Sequence, residues 1–432
     1  MLVLGGGGRE HAIVRALAQS DTTIYGAAST RNPGIAALAD DVTILDETDP
    51  NAVIDYATAV GATLAVIGPE APLEAGVADA LSDAGIFPFG PSADHARIET
   101  DKAFQRRFMA DHDIPGCPTF ETFTDPAAAC RYIDEVEYDL AVKPAGLTGG
   151  KGVKVIGDQV TPEEAKEYIR NGNFDEIVLE ERLIGEEFTV QAFVANGTLR
   201  TTPAVQDHKR AYEGDTGPNT GGMGSYSDRS LALPFMDESD YTAAVDILKA
   251  TVDALGEYTG VLYGQFMLTT DGVKVIEFNA RFGDPEAMNT LPVMNTPFLD
   301  ILIAAREGER LPRLSFAPRA TVCKYAVPTG YPTDPDAGAR LSIDVELPDG
   351  AILFYASVDE REDGIYTTTS RSFAVVGIAE TIEQAEAIAD DVMQRLDGEG
   401  LHIRHDIGRS ELVTARIEHI ESLRENSHAT GQ

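Results

Sequence analysis

From residue 2 to residue 84 the chain alternates short apolar runs with helical segments: a strand over 2–4, a helix over 10–18, a strand over 23–27, a helix from 49, a strand over 64–67 and a helix to 84. Such alternation constrains the fold more than any other feature of the sequence, because consecutive parallel strands need a crossover helix between them. It predicts a doubly wound parallel α/β sheet. From about residue 100 the texture changes to a helix over 101–111, short strands and three glycine-rich loops, ending near a helix over 299–306 and Pro312. Beyond residue 317, apolar strands over 322–327, 352–355 and 373–378 and an amphipathic helix over 382–396 predict an α+β closing domain. Residues 427–432 have nothing to bury and are expected to be disordered.

Charge excludes several functions. The 71 acidic residues against 34 basic give −37, spread along the whole chain, so nucleic acid is not an expected partner. A solvated surface adapted to high intracellular salt accounts for it, since molar ionic strength screens self-repulsion. The expected source is a halophile. No apolar run approaches the roughly 18 residues of a membrane helix, and the start lacks a secretory pattern, so no membrane and a cytoplasmic location are expected. Cys117, Cys130 and Cys323 stand far apart, as buried thiols would, without a disulfide or zinc spacing.

Three segments carry chemistry. Gly5-Gly6-Gly7-Gly8-Arg9-Glu10-His11 passes from strand to helix; its backbone N–H groups suit a phosphate, and a tight turn explains it equally well. A third glycine and a distal acid are missing, which disfavours a dinucleotide. Lys143-Pro144-Ala145-Gly146-Leu147-Thr148-Gly149-Gly150-Lys151-Gly152 lies between strands over 140–142 and 153–156, so it is a glycine hairpin with two cations rather than a P-loop, whose lysine opens a helix. A flexible surface hairpin remains the alternative. Strands over 263–268 and 273–279 joined at Asp271 put Glu277 and Asn279 on one face with Gln265 opposite Glu277, an oxygen set suited to Mg²⁺ or Mn²⁺; a polar hairpin would look the same.

The string Arg281-Phe282-Gly283-Asp284-Pro285-Glu286-Ala287-Met288 is the most specific. With Gln206-Asp207-His208-Lys209-Arg210, the tract from Asp215 to Gly224, Gly-Arg-Glu-His at 8–11, Gly-Pro-Glu-Ala-Pro-Leu at 68–73 and Asp-Lys-Ala-Phe at 101–104, it resembles the motifs of the phosphoribosylamine-glycine ligase family of ATP-grasp enzymes, in the family's order along essentially the whole chain. The resemblance implies a pre-ATP-grasp domain over 1–99, an ATP-grasp domain over 100–312 with a lid subdomain over about 115–180, and a C-terminal domain over 313–426. It also implies ATP with Mg²⁺ or Mn²⁺, and glycine and 5-phosphoribosylamine as substrates. With the acidic charge, a halophilic archaeon is the implied source. A monomer or weak homodimer is expected.

By position, the resemblance puts ATP phosphates on Lys102, Lys143, Lys151 and Gly152, adenine at Glu180, Glu181 and Leu183 largely through backbone atoms, and ribose at Glu187. Metal falls on Glu277 and Asn279, with Gln265 in the archaeal-like pattern. Phosphoribosylamine falls to Gly7, Gly8, Arg9, Glu10, Pro69 and Glu70, and substrate contacts to Asn219, Thr220 and Gly221. Arg281 is expected at glycine's carboxylate or the oxyanion, and Asp207 at its ammonium. Where bacterial relatives have Lys-Ala-Asp-Gly, this chain has Lys-Pro-Ala-Gly at 143–146. The competing readings are another ATP-grasp ligase or carboxylase, a nucleotide-binding protein without turnover, and a hydride-transfer enzyme.

Overall fold

Leu2, Val3 and Leu4 present only apolar side chains and are buried on both faces, so they form a central strand, β1 (Leu2–Leu4), despite its length. β2 (Tyr25–Ala28), β3 (Asp41–Ile44), β4 (Leu64–Ile67) and β5 (Phe87–Phe89) complete a parallel sheet of order β3-β2-β1-β4-β5. The chain order reverses between β1 and β4, so the glycine loops leaving these two strands open at the switch point where such sheets take ligands. Helix α1 (Gly8–Leu17) begins two residues earlier than expected, because the Glu10 carboxylate accepts the Gly7 N–H at 2.8 Å and caps the first turn. The helical stretch expected to end at 84 is two helices, Glu70–Glu74 and Val77–Asp83, divided at Gly76, whose φ of +78° is left-handed.

The computed structural model describes residues 1–147, 152–396 and 398–430. An antiparallel sheet of order β6-β9-β7-β8 follows, from β6 (Phe120–Phe123), β7 (Leu140–Pro144), β8 (Lys154–Val155) and β9 (Ile177–Glu181). Helices Pro126–Glu135 and Pro162–Asn171, each opened by a side-chain cap and a proline, cover it over a separate core that includes Ile133, Val142, Ile169 and Leu179. This is the lid.

Beneath it lies a second antiparallel sheet, β11-β10-β16-β17, built from β10 (Glu186–Ala195), β11 (Thr198–Thr201) and the later pair. Between them run four short strands, β12 (Gln206–Asp207), β13 (Arg210–Tyr212), β14 (Thr216–Asn219) and β15 (Gly224–Ser227). The later pair is β16 (Gly260–Thr269) and β17 (Gly272–Asn279), with Gln265 opposite Glu277 as the sequence predicts. β15 pairs with β18 (Ala320–Pro328), which pairs with strand Phe373–Ala379, so one six-stranded sheet runs from the middle of the chain into its closing part. The helix Ile382–Leu396 has its expected bounds. Cys130 and Cys323 are buried, while Cys117 is only half-buried; all three are free thiols.

The last helix runs Ser410–Thr430. The expectation of disorder from residue 427 is therefore corrected for the backbone of 427–430: once a helix is anchored, each added residue gains a hydrogen bond without a new nucleation cost. Residues 431–432 lie outside the described residues.

In the closing sheet Lys324 is completely buried, its ammonium donating to Glu386 and Asp390, both at 2.7 Å, and to the His405 carbonyl at 2.8 Å. Burial alone would raise the Asp390 carboxyl, but the bonds from Lys324 and His405 hold it down to about 2. A depressed acid contributes its full stabilisation above the unfolded value and loses it as pH falls through the folded one. Unfolding followed from pH 5 to pH 2 is thus expected to lose stability more steeply in the native chain than in Asp390→Asn.

Candidate active site

A cavity of about 720 Å³ opens where the parallel sheet, the lid and the β16–β17 floor meet, a size suited to a small-molecule site. Alternation along the floor strands brings Tyr263, Gln265 and Met267, and across from them Glu277 and Asn279, to its surface. Glu277 forms no ion pair among the described residues. Burial would raise its carboxyl, yet the nearby charges of Lys209, Lys102 and Lys143 pull it below its ordinary value. An anionic oxygen of this kind beside the Asn279 amide, which donates to it at 3.5 Å, fits a divalent cation shared with phosphates. Gln265 does not fit the third position it was expected to fill. Its carbonyl oxygen accepts from Lys209 Nζ at 2.6 Å and its amide donates to Glu187 at 2.7 Å, so an ammonium already stands at that oxygen.

Lys143 reaches the cavity from β7 and is held from behind. Glu180 is buried between Arg106, whose Nε lies 2.7 Å from one oxygen, and Lys143, which ion-pairs with the other. Arg106 also donates to the carbonyls of Val275 and Ile276, at 3.2 and 2.6 Å, stitching lid to floor. The Glu180 side chain is therefore spent on two cations, which leaves its backbone, on the cavity wall, for the hinge contact expected of it. Burial lowers the Lys143 ammonium pKa against the upward pull of Glu180. Lys102 Nζ donates to Gly146 O at 3.0 Å, and Glu181, Leu183 and Glu187 line the same wall. Lys151 and residues 148–150 lie outside the described residues, and Gly152, which accepts from the Tyr168 hydroxyl at 2.9 Å, does not line the cavity.

At the switch point Arg9 and Glu70 face the cavity, but Gly7, Gly8, Glu10 and Pro69 do not. Glu10 is committed to the helix cap and to Arg9, 2.5 Å away, and a Cβ on Gly8 would stand 2.5 Å from the Tyr325 hydroxyl, so that glycine serves packing. Arg281 is gripped by Glu99 at 2.7 Å and Glu70 at 3.4 Å. Burial pushes Glu99 up to about 7; it works against Glu70 as well, but there Arg281 and Arg9 prevail and hold the carboxyl down to about 2. Asp207 has a buried Oδ1 with no hydrogen-bond partner among the described residues, and burial with the Glu286 charge pushes its carboxyl well up. Such an orphan is suited to a cationic ligand group.

Asn219, Thr220 and Gly221 complete the wall, and here the sequence reading missed a residue. Arg371 donates to Gly221 O at 2.7 Å and Asp284 O at 3.0 Å and pairs with the Asp284 carboxylate at 3.1 Å. No local pattern surrounds Arg371, so only folding reveals it. Lys209 and Glu286, also on the wall, belong to the family-like motifs, but the sequence alone assigns them no role.

A cleft lined by both cations and carboxylates, between a four-stranded lid and an antiparallel floor and carried behind a doubly wound domain, defines an ATP-grasp enzyme. Family descriptions agree segment by segment: phosphoribosylglycinamide synthetase N domain over 1–99, ATP-grasp (A) domain over 100–287 and C domain over 321–410. The phosphoribosylamine--glycine ligases of Methanocella arvoryzae and Methanococcoides burtonii are each 51% identical, covering 98% of this chain and 99% of theirs. The crystal structure of the Thermotoga maritima phosphoribosylamine--glycine ligase superposes with a TM-score of 0.78 at 27% identity, over 94% of this chain and 99% of that one. The Campylobacter jejuni biotin carboxylase shares the fold alone, with a TM-score of 0.73 at 14% identity over 97% and 95%. The chain belongs to the phosphoribosylglycinamide synthetase family.

Proposed function

We propose that this chain joins glycine to 5-phosphoribosylamine with ATP, releasing glycinamide ribonucleotide, ADP and phosphate. The observation that carries the reading is the 51% identity to named phosphoribosylamine--glycine ligases across 98% of the chain. A carboxylate is a poor acyl donor, so a glycine oxygen first takes the γ-phosphoryl, giving glycyl phosphate. The amine then attacks the carbonyl, the C–O bond to phosphorus breaks, phosphate leaves with the electron pair, and the amine loses a proton as the amide forms. Lys102 and Lys143 neutralise the phosphoryl charge in transfer. Glu277 and Asn279 would hold Mg²⁺ or Mn²⁺, which would supply Lewis-acid charge when bound. The backbone at Glu180, Glu181 and Leu183 meets adenine, Glu187 meets ribose, and Asp207 receives glycine's ammonium. Arg281, set by Glu99 and Glu70, faces the carboxylate, while Arg9 and residues 219–221 take the phosphoribosyl group. The working divisions are 1–99, 100–312 with its lid over about 115–180, and 313–426.

ADP release in KCl should require glycine and freshly made phosphoribosylamine together. Release indifferent to either substrate would sink the reading.

No helix among the described residues is long and apolar enough to cross a membrane; the cytoplasm is the place proposed for the ligase reading. A monomer or weak homodimer suffices, since one chain supplies every wall of the cavity. The charge of −37 supports a halophilic source. Raising KCl from about 0.1 M to about 1 M shortens the screening length from about 10 Å to about 3 Å. The thermal midpoint should rise over that range; a flat or falling midpoint would contradict adaptation to salt.

A further inference from the structure

The closing helix begins where the C-domain match stops, at residue 410, and packs back against β10 and β16. Its Arg416 ion-pairs with Asp215 and lies 3.2 Å from Glu186, which also meets His419 at 2.6 Å. Asp215 receives a second guanidinium, from Arg404 at 2.8 Å. Its φ is +53°, a region L residues rarely adopt, so the tip of the β13–β14 hairpin keeps a costly conformation under two arginines. The rest of the hairpin is fixed from the same side: Arg404 donates to Arg210 O at 3.0 Å, His402 meets Ala211 O at 2.8 Å, and Gly214 N donates to Asp406 at 2.9 Å. At the other end Arg210 donates to Gly217 O at 2.8 Å and ion-pairs with Asp158, which belongs to the lid. Asp158, Arg210 and Arg416 all stand on the cavity wall.

We propose that Arg416 is a positioning residue for the lid: through Asp215 it sets the hairpin whose Arg210 ties the lid at Asp158 and keeps water from the acyl phosphate. The proposal rests on the ligase reading. A contact pair of this kind outlasts screening at molar salt, where the screening length is about 3 Å, and being partly exposed it adds little to stability. Its work is in the closed geometry.

The test compares Asp158→Asn, Arg416→Met and the double variant in KCl, measuring ADP released per amide formed. The native ratio is expected to be one. Each single variant is expected to raise the ratio and the ATP KM by about two- to fivefold, the factor an exposed pair supplies. The double variant should be no worse than the worse single, because both act on one tie. A merely structural role would lower the yield of folded protein and leave the ratio at one. A ratio of one in Asp158→Asn, or single effects that multiply in the double, overturns the proposal. If Arg416→Met does not fold, the Asp158→Asn ratio decides. Should native protein show no amine-dependent ADP release, the ligase reading fails, and weaker nucleotide binding by Asp158→Asn, measured directly, still reads the tie.

Discussion

Glu277→Ala is expected to lower ADP release by about 10²–10³-fold, the loss of about 2.7–4 kcal/mol that follows removal of one preorganised charge-stabilising group. Glu277 is the one anionic oxygen donor on the β16–β17 floor, and three lysines pull on it without pairing to it. Replacing it leaves the floor strands intact, because it forms no ion pair among the described residues and its partner Asn279 donates only at 3.5 Å. Unfolding in denaturant should therefore be nearly unchanged while turnover collapses. Activity within about tenfold of native would remove the metal assignment.

The second large effect is on stability. Glu180→Ala leaves Arg106 and Lys143 as neighbouring buried cations, and breaking a buried ion cluster at one partner costs about 3–5 kcal/mol. Lys143 also loses the anion that holds it towards the cavity, so the ATP KM should rise together with the fall in denaturant midpoint. A cost below about 1 kcal/mol would mean that water reaches the triad and the two cations are solvated.

These two residues show what was legible in the sequence. Glu277 was readable because strand alternation and a two-strand turn fix which side chains oppose one another, and the register sets Gln265 against Glu277 as predicted. The same reasoning could not foresee that Lys209 would occupy the Gln265 oxygen, since the two are far apart in sequence. The two cations behind Glu180 were hidden for a related reason. Arg106 and Arg107 are adjacent and look alike in sequence, yet the Arg106 side chain is 2% exposed and pairs with Glu180, while Arg107 is 46% exposed and pairs with Glu176. A helix turns about 100° per residue, so one faces the floor and the other solvent, and no local pattern says which. Arg371 and Glu99 are further cases: each acts on a loop remote in sequence, Arg371 on Gly221 and Glu99 on Ala280. Three strands of the parallel sheet were legible because continuous apolar runs and crossover helices are local signals, whereas β3, a half-exposed edge strand, and β5, three residues around Pro88, give no such signal and were not read. The sheet shared by β15 and β18 was not, because strand partnership at that separation is settled by packing.

Activation of glycine's carboxylate by phosphoryl transfer within this cavity would leave an isotopic trace. The direct measurement is turnover with glycine labelled in both carboxylate oxygens by oxygen-18, followed by mass analysis of the orthophosphate. One labelled oxygen per phosphate released, with the other retained in the amide, is the predicted result. Orthophosphate carrying no label while amide accumulates would contradict it.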